Sequence, residues 1–269
     1  MYVICAGMAR SGSTLQYNIT SEILSRSGRG KASGLMGDAE IRPQLAESRE
    51  LYVIKHHYLD DGVKTVLSLA PAKVIYSRRD LRDVFVSDRK ISGSMRSPRQ
   101  IRQFTETLMD SDLAWRSLPD IYMSRYEDFV DDIEGEVRGI AAYLSVPLSP
   151  HDVGEVAEKF SIENQRKRIG KFSEETLEDS GYGPYDKSTQ LHKGHIQSAR
   201  PGRYLTELGA VERAHIEFVA SNWLQANGYP LSSPSDGWCG AGAQYLTRVL
   251  TMAARLRNAV RGSSPADVA

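Results

Sequence analysis

The segment Gly7-Met8-Ala9-Arg10-Ser11-Gly12-Ser13-Thr14 follows directly on the apolar run Tyr2-Val3-Ile4-Cys5-Ala6. Two glycines enclosing four residues, with a Ser-Thr pair behind them, make the frame of a phosphate-binding loop, G-x-x-x-x-G-K-[ST], with one change. Ser13 stands where the lysine belongs, and the nearest strong cation is Arg10, three residues before Ser13. A strand, a Gly-rich turn and a helix starting near Ser13 aim backbone N–H groups and a helix N-terminus at an anion. Without the lysine, such a loop is poorly equipped to grip β- and γ-phosphates and share Mg²⁺. A single terminal phosphate, bound without metal, fits it better.

Two further segments place chemistry at strand ends. In Ile75–Ser87 a strand again runs into a helix, with Arg79 closing the strand, Asp80 suited to cap the helix, and Ser87 two turns inside it. Arg79 and Ser87 could converge on one phosphate; read alone, the segment also fits local ion pairs and an exposed serine. In Val53-Ile54-Lys55-His56-His57 a cation and two imidazoles follow an apolar strand. Histidine accepts a proton near neutral pH, so either ring could serve as a general base. Strand alternation turns one of the two away from the other.

The elements that must position these groups are short. Strands are expected at residues 2–6, 51–55, 73–77 and 120–124, each rich in β-branched or aromatic residues, with 32–35 strand-like. Helical periods fall between them: Leu15-Ile19-Ile23-Leu24, Val84-Phe85-Asp88-Ile91, Ile101-Phe104-Leu108-Leu113 and Val137-Ile140-Ala141-Leu144, with a late one over 211–223. Strands alternating with helices predict an α/β fold: a P-loop-type parallel sheet flanked by helices on both faces, as a single domain with a C-terminal helical extension. Ligands of such sheets bind beyond the carboxyl ends of the strands, where every segment above lies.

Composition sets limits. Lys plus Arg (34) balance Asp plus Glu (34) over 269 residues, so no global field points to nucleic acid, and an anion site must be built locally. The two cysteines, Cys5 and Cys239, offer no disulfide framework or metal spacing. With no signal-peptide pattern and no apolar run of membrane-spanning length, a reducing, cytoplasmic setting is expected. From Gly170 to Pro201 apolar periodicity is lost, as expected of a functional loop. Residues 230–242 read as a linker and 243–262 as a basic amphipathic helix, which suits packing on the domain, a homo-oligomer contact or a membrane surface.

Taken together, these segments resemble the sulfotransferases that use 3′-phosphoadenosine-5′-phosphosulfate (PAPS). GMARSGSTL is similar to that family's 5′-phosphosulfate loop, usually P-[KR]-[ST]-G-[ST]-[ST]. Arg79 with Ser87, and Asp83 between them, is similar to its 3′-phosphate motif. Tyr126-Glu127-Asp128-Phe129, then Glu136-Val137 and Leu144-Ser145-Val146-Pro147, resembles its Y-E-D-L…E-[LV]…F-L-G-[VL]-P stretch. The three pieces match in order and separation over residues 1–150; beyond, the likeness thins to Gly202-Arg203-Tyr204 and Asn227-Gly228-Tyr229.

The resemblance implies roles. Ser11, Gly12, Ser13 and Thr14 would hold the 5′-phosphate, and Arg10 would reach the oxygen bridging phosphate and sulfonate. Arg79 and Ser87 would take the 3′-phosphate, and Tyr126 the adenine. Lys193 and Gly194, in His192-Lys193-Gly194, would close over the nucleotide, although the family has arginine where His192 stands. The family's K-x-H matches Lys55 and His57, which favours His57 over His56 as base; Asp38 or Glu40 are alternatives, since some members use a carboxylate. The implied domain spans 1–229, with 170–201 as lid and acceptor loop, PAPS as co-substrate, adenosine 3′,5′-bisphosphate (PAP) as product, and no metal. The implied acceptor is a small molecule or glycan bearing a hydroxyl or amine. A P-loop small-molecule kinase and a non-catalytic nucleotide-binding module are the competing readings; the first lacks its lysine, and the second would not need Arg10, Lys55 and His57.

Overall fold

The computed structural model describes residues 1–35, 51–93, 97–173, 177–179, 184–194, 196 and 198–232. Asp38, Glu40, Cys239, parts of the 170–201 segment, the linker beyond residue 232 and the helix expected at 243–262 lie outside them. The chain forms two compact units, one of residues 1–79 and 110–201, the other of 80–109 and 202 onward.

The first unit is built on five parallel strands: β1 (Tyr2–Gly7), β2 (Lys31–Leu35), β3 (Tyr52–His56), β4 (Ala72–Arg78) and β5 (Ile121–Arg125), in the order β2-β3-β1-β4-β5. All five follow the strand segments expected from residue type. Strand β1 is buried along its whole length, which is why it reads as a continuous apolar run and not as an alternation. It has β3 on one side and β4 on the other, so chain order reverses at β1, the place where an open α/β sheet takes its ligand. The register pairs Ala6 with His56 and Gly7 with Ser77. The carboxyl ends of β1, β3 and β4 are therefore level, and His57 emerges beside Gly7.

Helix α1 (Ser13–Arg26) covers the sheet with Tyr17, Ile19, Ile23 and Leu24, packed on Val3, Cys5, Val53 and Ile75. Further helices are α2 (Asp61–Leu69), α3 (Leu81–Ser92), α4 (Pro98–Arg116), α5 (Tyr126–Asp131), α6 (Ile133–Tyr143), α7 (Pro150–Lys159), α8 (Ile162–Ile169), α9 (Tyr204–Glu207) and α10 (Ala210–Ala226). Helices α2, α7 and α8 are additional to those expected from apolar periodicity. They are 8–10 residues long, with two or three buried positions each, and their starts are marked by caps: Asp60, Ser149 and Ser161 each accept a backbone N–H of the first turn.

A buried polar knot fixes α1 against the sheet. Gln16 Nε2 donates to Ser124 Oγ (2.5 Å) and Glu136 Oε1 (2.6 Å), Ser124 Oγ donates to Glu136 Oε1 (2.9 Å), and Tyr122 Oη donates to Glu136 Oε2 (2.9 Å). Burial pushes the Glu136 carboxyl above its ordinary range, against the pull of these three donors. Gln16 Oε1 is left without a hydrogen-bond partner among the described residues; the remaining bonds tie α1, β5 and α6 to one another.

The described residues between 170 and 201 include secondary structure that loss of apolar period did not suggest. They carry a small antiparallel sheet of β6 (Glu178–Asp179), β7 (Pro184–Asp186) and β8 (Leu191–His192). The β7–β8 turn is stabilised by Asp186 Oδ1, which accepts from Thr189 N (2.8 Å), Thr189 Oγ1 (2.5 Å) and Ser188 Oγ (2.7 Å). Strands of two or three residues are too short for an alternation to register.

The second unit centres on α3 and α10. Asp80 caps α3 through Arg82 N (2.9 Å). The fully buried Arg82 guanidinium donates to both Asp80 oxygens (2.7 and 3.0 Å) and to Glu217 Oε1 (2.5 Å), over the Tyr204 ring. Asp83 accepts Gly202 N (2.7 Å) and Tyr204 N (3.0 Å), so one carboxylate ties the 202–204 backbone to α3.

Candidate active site

The loop after β1 takes its shape from two residues in left-handed backbone, Arg10 (φ 63°) and Gly12 (φ 89°). At Gly12 a side chain would meet the Phe129 and Tyr126 rings, so both conformation and space require glycine there. Met8 N donates to Ser77 O (3.1 Å), pinning the loop to β4. Ser11 is fully buried beneath it: its N–H donates to Met8 O (3.1 Å), and its hydroxyl lies 2.6 Å from Met8 O, 2.9 Å from Ser77 O and 2.8 Å from Ser77 Oγ. Expected to bind phosphate, Ser11 instead spends both donors on the loop itself. The donors left to face an anion are the backbone N–H groups of Gly12, Ser13 and Thr14. No side chain caps α1 and no acidic residue lies in its first turn, as an anion site at a helix N-terminus requires.

Gly12→Ala is expected to cost stability through the left-handed backbone alone, about 1–2 kcal/mol, with the ring clashes adding to it. Thermal melts should show a lower Tm and little stabilisation by PAP. A variant as stable and as responsive as the parent would refute this account of the loop.

At the end of β3 the two histidines part. His56 Nδ1 lies 3.5 Å from Asp60 Oδ2, away from the loop. His57 Nδ1 lies 3.1 Å from Gly7 O, and its own carbonyl accepts from Trp115 Nε1 (3.1 Å) and Ser111 Oγ (3.3 Å) on α4. A carbonyl can only accept, so Nδ1 carries the ring proton and Nε2 is left as the acceptor. Burial, then the Lys55 cation, push His57 down to about 3, with Arg10 adding to the effect, so the ring is neutral. Lys55 is 5% exposed, and desolvation followed by the Arg10 charge lowers its ammonium to about 8. Arg10, Lys55 and His57 thus form one electrostatic group at the head of the loop.

Arg79 ends the sheet side of the site. It donates to Arg10 O (3.2 Å) and Arg200 O (3.5 Å), and its guanidinium lies 4.0 Å from the Tyr126 ring centroid. Tyr126 donates its hydroxyl to Ala199 O (3.1 Å). This tyrosine therefore supports Arg79 and the 199–200 backbone, a role that residue type alone did not suggest. Ser87 is buried in the second turn of α3, in the other unit. Lys193 and Gly194 follow β8 and are exposed; a side chain at Gly194 would meet nothing, so packing does not demand glycine there. The signal that could have found Asn18 is its place one turn after Thr14: its amide donates to Thr14 O (2.7 Å) and to Thr189 O (2.8 Å), joining α1 to the β7–β8 turn.

The fold and loop define a P-loop-type α/β domain with an uncapped anion cradle, cations on both sides of it and a neutral imidazole at its mouth. Residues 2–207 match the family described as the sulfotransferase domain, and the chain belongs to that family. Its activity is PAPS-dependent transfer of a sulfonate group. No curated protein sequence matches the chain significantly. Among solved structures, the fold is similar to that of a mouse sulfotransferase complexed with PAP (13% identity, TM-score 0.63, covering 94% of this chain and 88% of that one). It is also similar to a retinol dehydratase in complex with retinol and PAP (17% identity, TM-score 0.58, 87% and 83% covered). A second complex of retinol dehydratase, with androsterone and PAP, matches alike (18% identity, TM-score 0.58, 87% and 82% covered).

Proposed function

We propose that the chain moves the sulfonate of PAPS to a hydroxyl of a small-molecule or glycan acceptor, with His57 as base and Arg10 and Lys55 as the charge-stabilising pair. The observation that carries this reading is the Nδ1 contact of His57 with Gly7 O (3.1 Å), which holds a neutral imidazole at the mouth of the anion cradle. In the reaction the acceptor proton passes to His57 Nε2 as the acceptor oxygen bonds to sulfur. The bond from sulfur to the bridging phosphate oxygen breaks, and PAP leaves with the negative charge on that oxygen. Arg10 and Lys55 meet that charge, as alignment and electrostatics do in group transfer generally. The backbone N–H groups of Gly12, Ser13 and Thr14 hold the 5′-phosphate, and Arg79 with Ser87 the 3′-phosphate. Tyr126 lies against the adenine while supporting Arg79.

Residues 170–201, with Lys193 and Gly194, act as lid and acceptor selector within a domain of residues 1–229. The neighbours' retinol and androsterone support a small-molecule acceptor, and the polar, hydroxyl-rich lid favours a sugar-bearing one. The free, buried thiol of Cys5 supports a reducing, cytoplasmic setting. No helix of the described residues is long and apolar enough to cross a membrane.

The donor site is tested by calorimetry with PAP and AMP. PAP is expected to bind much more tightly, and Arg79→Ala to remove about 1.5–3 kcal/mol of the difference, the value of one charge-assisted hydrogen bond. Equal affinity of the unaltered protein for the two nucleotides would exclude a 3′-phosphate site.

A further inference from the structure

A polar cavity of about 380 Å³ opens beside α1, beyond the nucleotide loop. Its walls are Asn18, Ser21, Glu22 and Ser25 of α1, Lys159 and Phe160 at the end of α7, Arg168 of α8, and Ser188 and Thr189 of the β7–β8 turn. The volume is at the small end of the roughly 300–1,000 Å³ found for ligand sites, enough for one sugar unit. The lining is mostly hydroxyl and amide groups with a single aromatic, Phe160, whose ring carries the Lys159 ammonium at 5.7 Å.

The charges are unequally satisfied. Glu22 already accepts Lys159 Nζ (2.6 Å) and Arg26 Nε (2.9 Å). Arg168 is half-buried, and its guanidinium makes no hydrogen bond or ion pair among the described residues. The carboxylate that feels it, Asp186, is engaged by Ser188 and Thr189. A half-buried guanidinium facing a hydroxyl-lined cavity favours an anion that also offers hydroxyls, since Arg pairs carboxylate and sulfate in the same forked geometry.

We propose that this cavity is a subsite for an acidic sugar unit of the acceptor, carboxylated or already sulfated, with Arg168 as its anion-recognising residue. The proposal rests on the sulfonate-transfer reading and adds to it the charge and class of the acceptor. Asn18 gives the subsite a connection to the chemistry, because it joins the Thr189 wall to the carbonyl of Thr14 in the nucleotide loop helix. An occupant here touches the same turn from which β8 leads to Lys193.

Ligand-observed NMR on the full chain, saturated with PAP, tests this with glucuronic acid, glucose 6-sulfate, glucose and inorganic sulfate as probes. Both acidic sugars are expected to bind about tenfold or more tightly than glucose, the weight of one charge-assisted contact. Both should also outcompete inorganic sulfate, which lacks the hydroxyls. Arg168→Ala should abolish the preference over glucose, Arg168→Lys should restore part of it, and the space-filling Ser25→Trp should block binding with Arg168 intact. PAP affinity, read in the same samples, should not change in any of the three. Equal binding of glucose and glucuronic acid, inorganic sulfate binding as well as the sugars, or an Arg168→Ala variant that keeps the preference would each overturn the proposal. The donor-site reading fails by a different result, loss of the PAP preference over AMP, so the two cannot be confused.

Discussion

His57→Ala is expected to lower kcat by roughly 10²–10⁴ while PAP affinity stays within about twofold, as for loss of a general base. The expectation follows from where the ring is held. Its Nδ1–H is committed to Gly7 O, its carbonyl is held by Trp115 and Ser111, and Nε2 is the atom left to accept a proton. Burial and the Lys55 charge keep the ring at about 3 in the free protein, which makes it a weak base before substrate arrives. An anionic donor neutralises Lys55 and Arg10, and the proton affinity of the imidazole must then rise. The base is thus strengthened by the substrate it serves. The kinetic signature is specific: kcat/KM, which reports the free protein, should show no acid limb from His57 above about pH 4, whereas the acid limb of kcat should lie at higher pH. His56→Ala, whose ring lies beside Asp60 and not beside Gly7, should be mild. A dead His56→Ala with an active His57→Ala would reverse the assignment.

Lys55→Ala is expected to cost on the order of 10²–10³ in kcat, comparable to loss of one preorganised charge donor. The pH profile gives a sharper test than the rate. Lys55 acts as a cation, and desolvation has lowered it to about 8. Below that value it is charged and the site competent; above it the proton leaves and the stabilising charge with it. The kcat/KM profile should therefore fall as pH rises through about 8. In kcat the same limb should move upward, because the bound anion favours the ammonium. Lys55→Arg, which stays charged over this range, should keep part of the activity and lose the alkaline limb. An alkaline limb unchanged in Lys55→Arg would assign it to another group.

The glycines that frame the loop, the strand runs and the helical periods of α1, α3, α4, α6 and α10 were legible in residue type and spacing, because each is a local property. Burial of β1 on both faces requires an unbroken apolar run, and a left-handed turn against aromatic rings admits only glycine at residue 12. Each leaves its mark in adjacent residues, even where the rings that Gly12 meets are distant in sequence, so α/β alternation, the anion loop and the chemistry at strand ends are readable from the chain alone. What tertiary structure decided lay in contacts between distant segments. Spacing left His56 and His57 nearly equivalent; only the register of β1 with β3 sets His57 beside Gly7 and sends His56 to Asp60. Ser11 carries a phosphate-binding residue type, yet Ser77, 66 positions away, takes its hydroxyl into the base of the loop. Tyr126 becomes the support of Arg79, and Asn18 the link from α1 to the β7–β8 turn, through carbonyls that no local pattern announces. A side chain's type states which partners it can accept, and only the folded chain determines which of them comes within hydrogen-bonding reach.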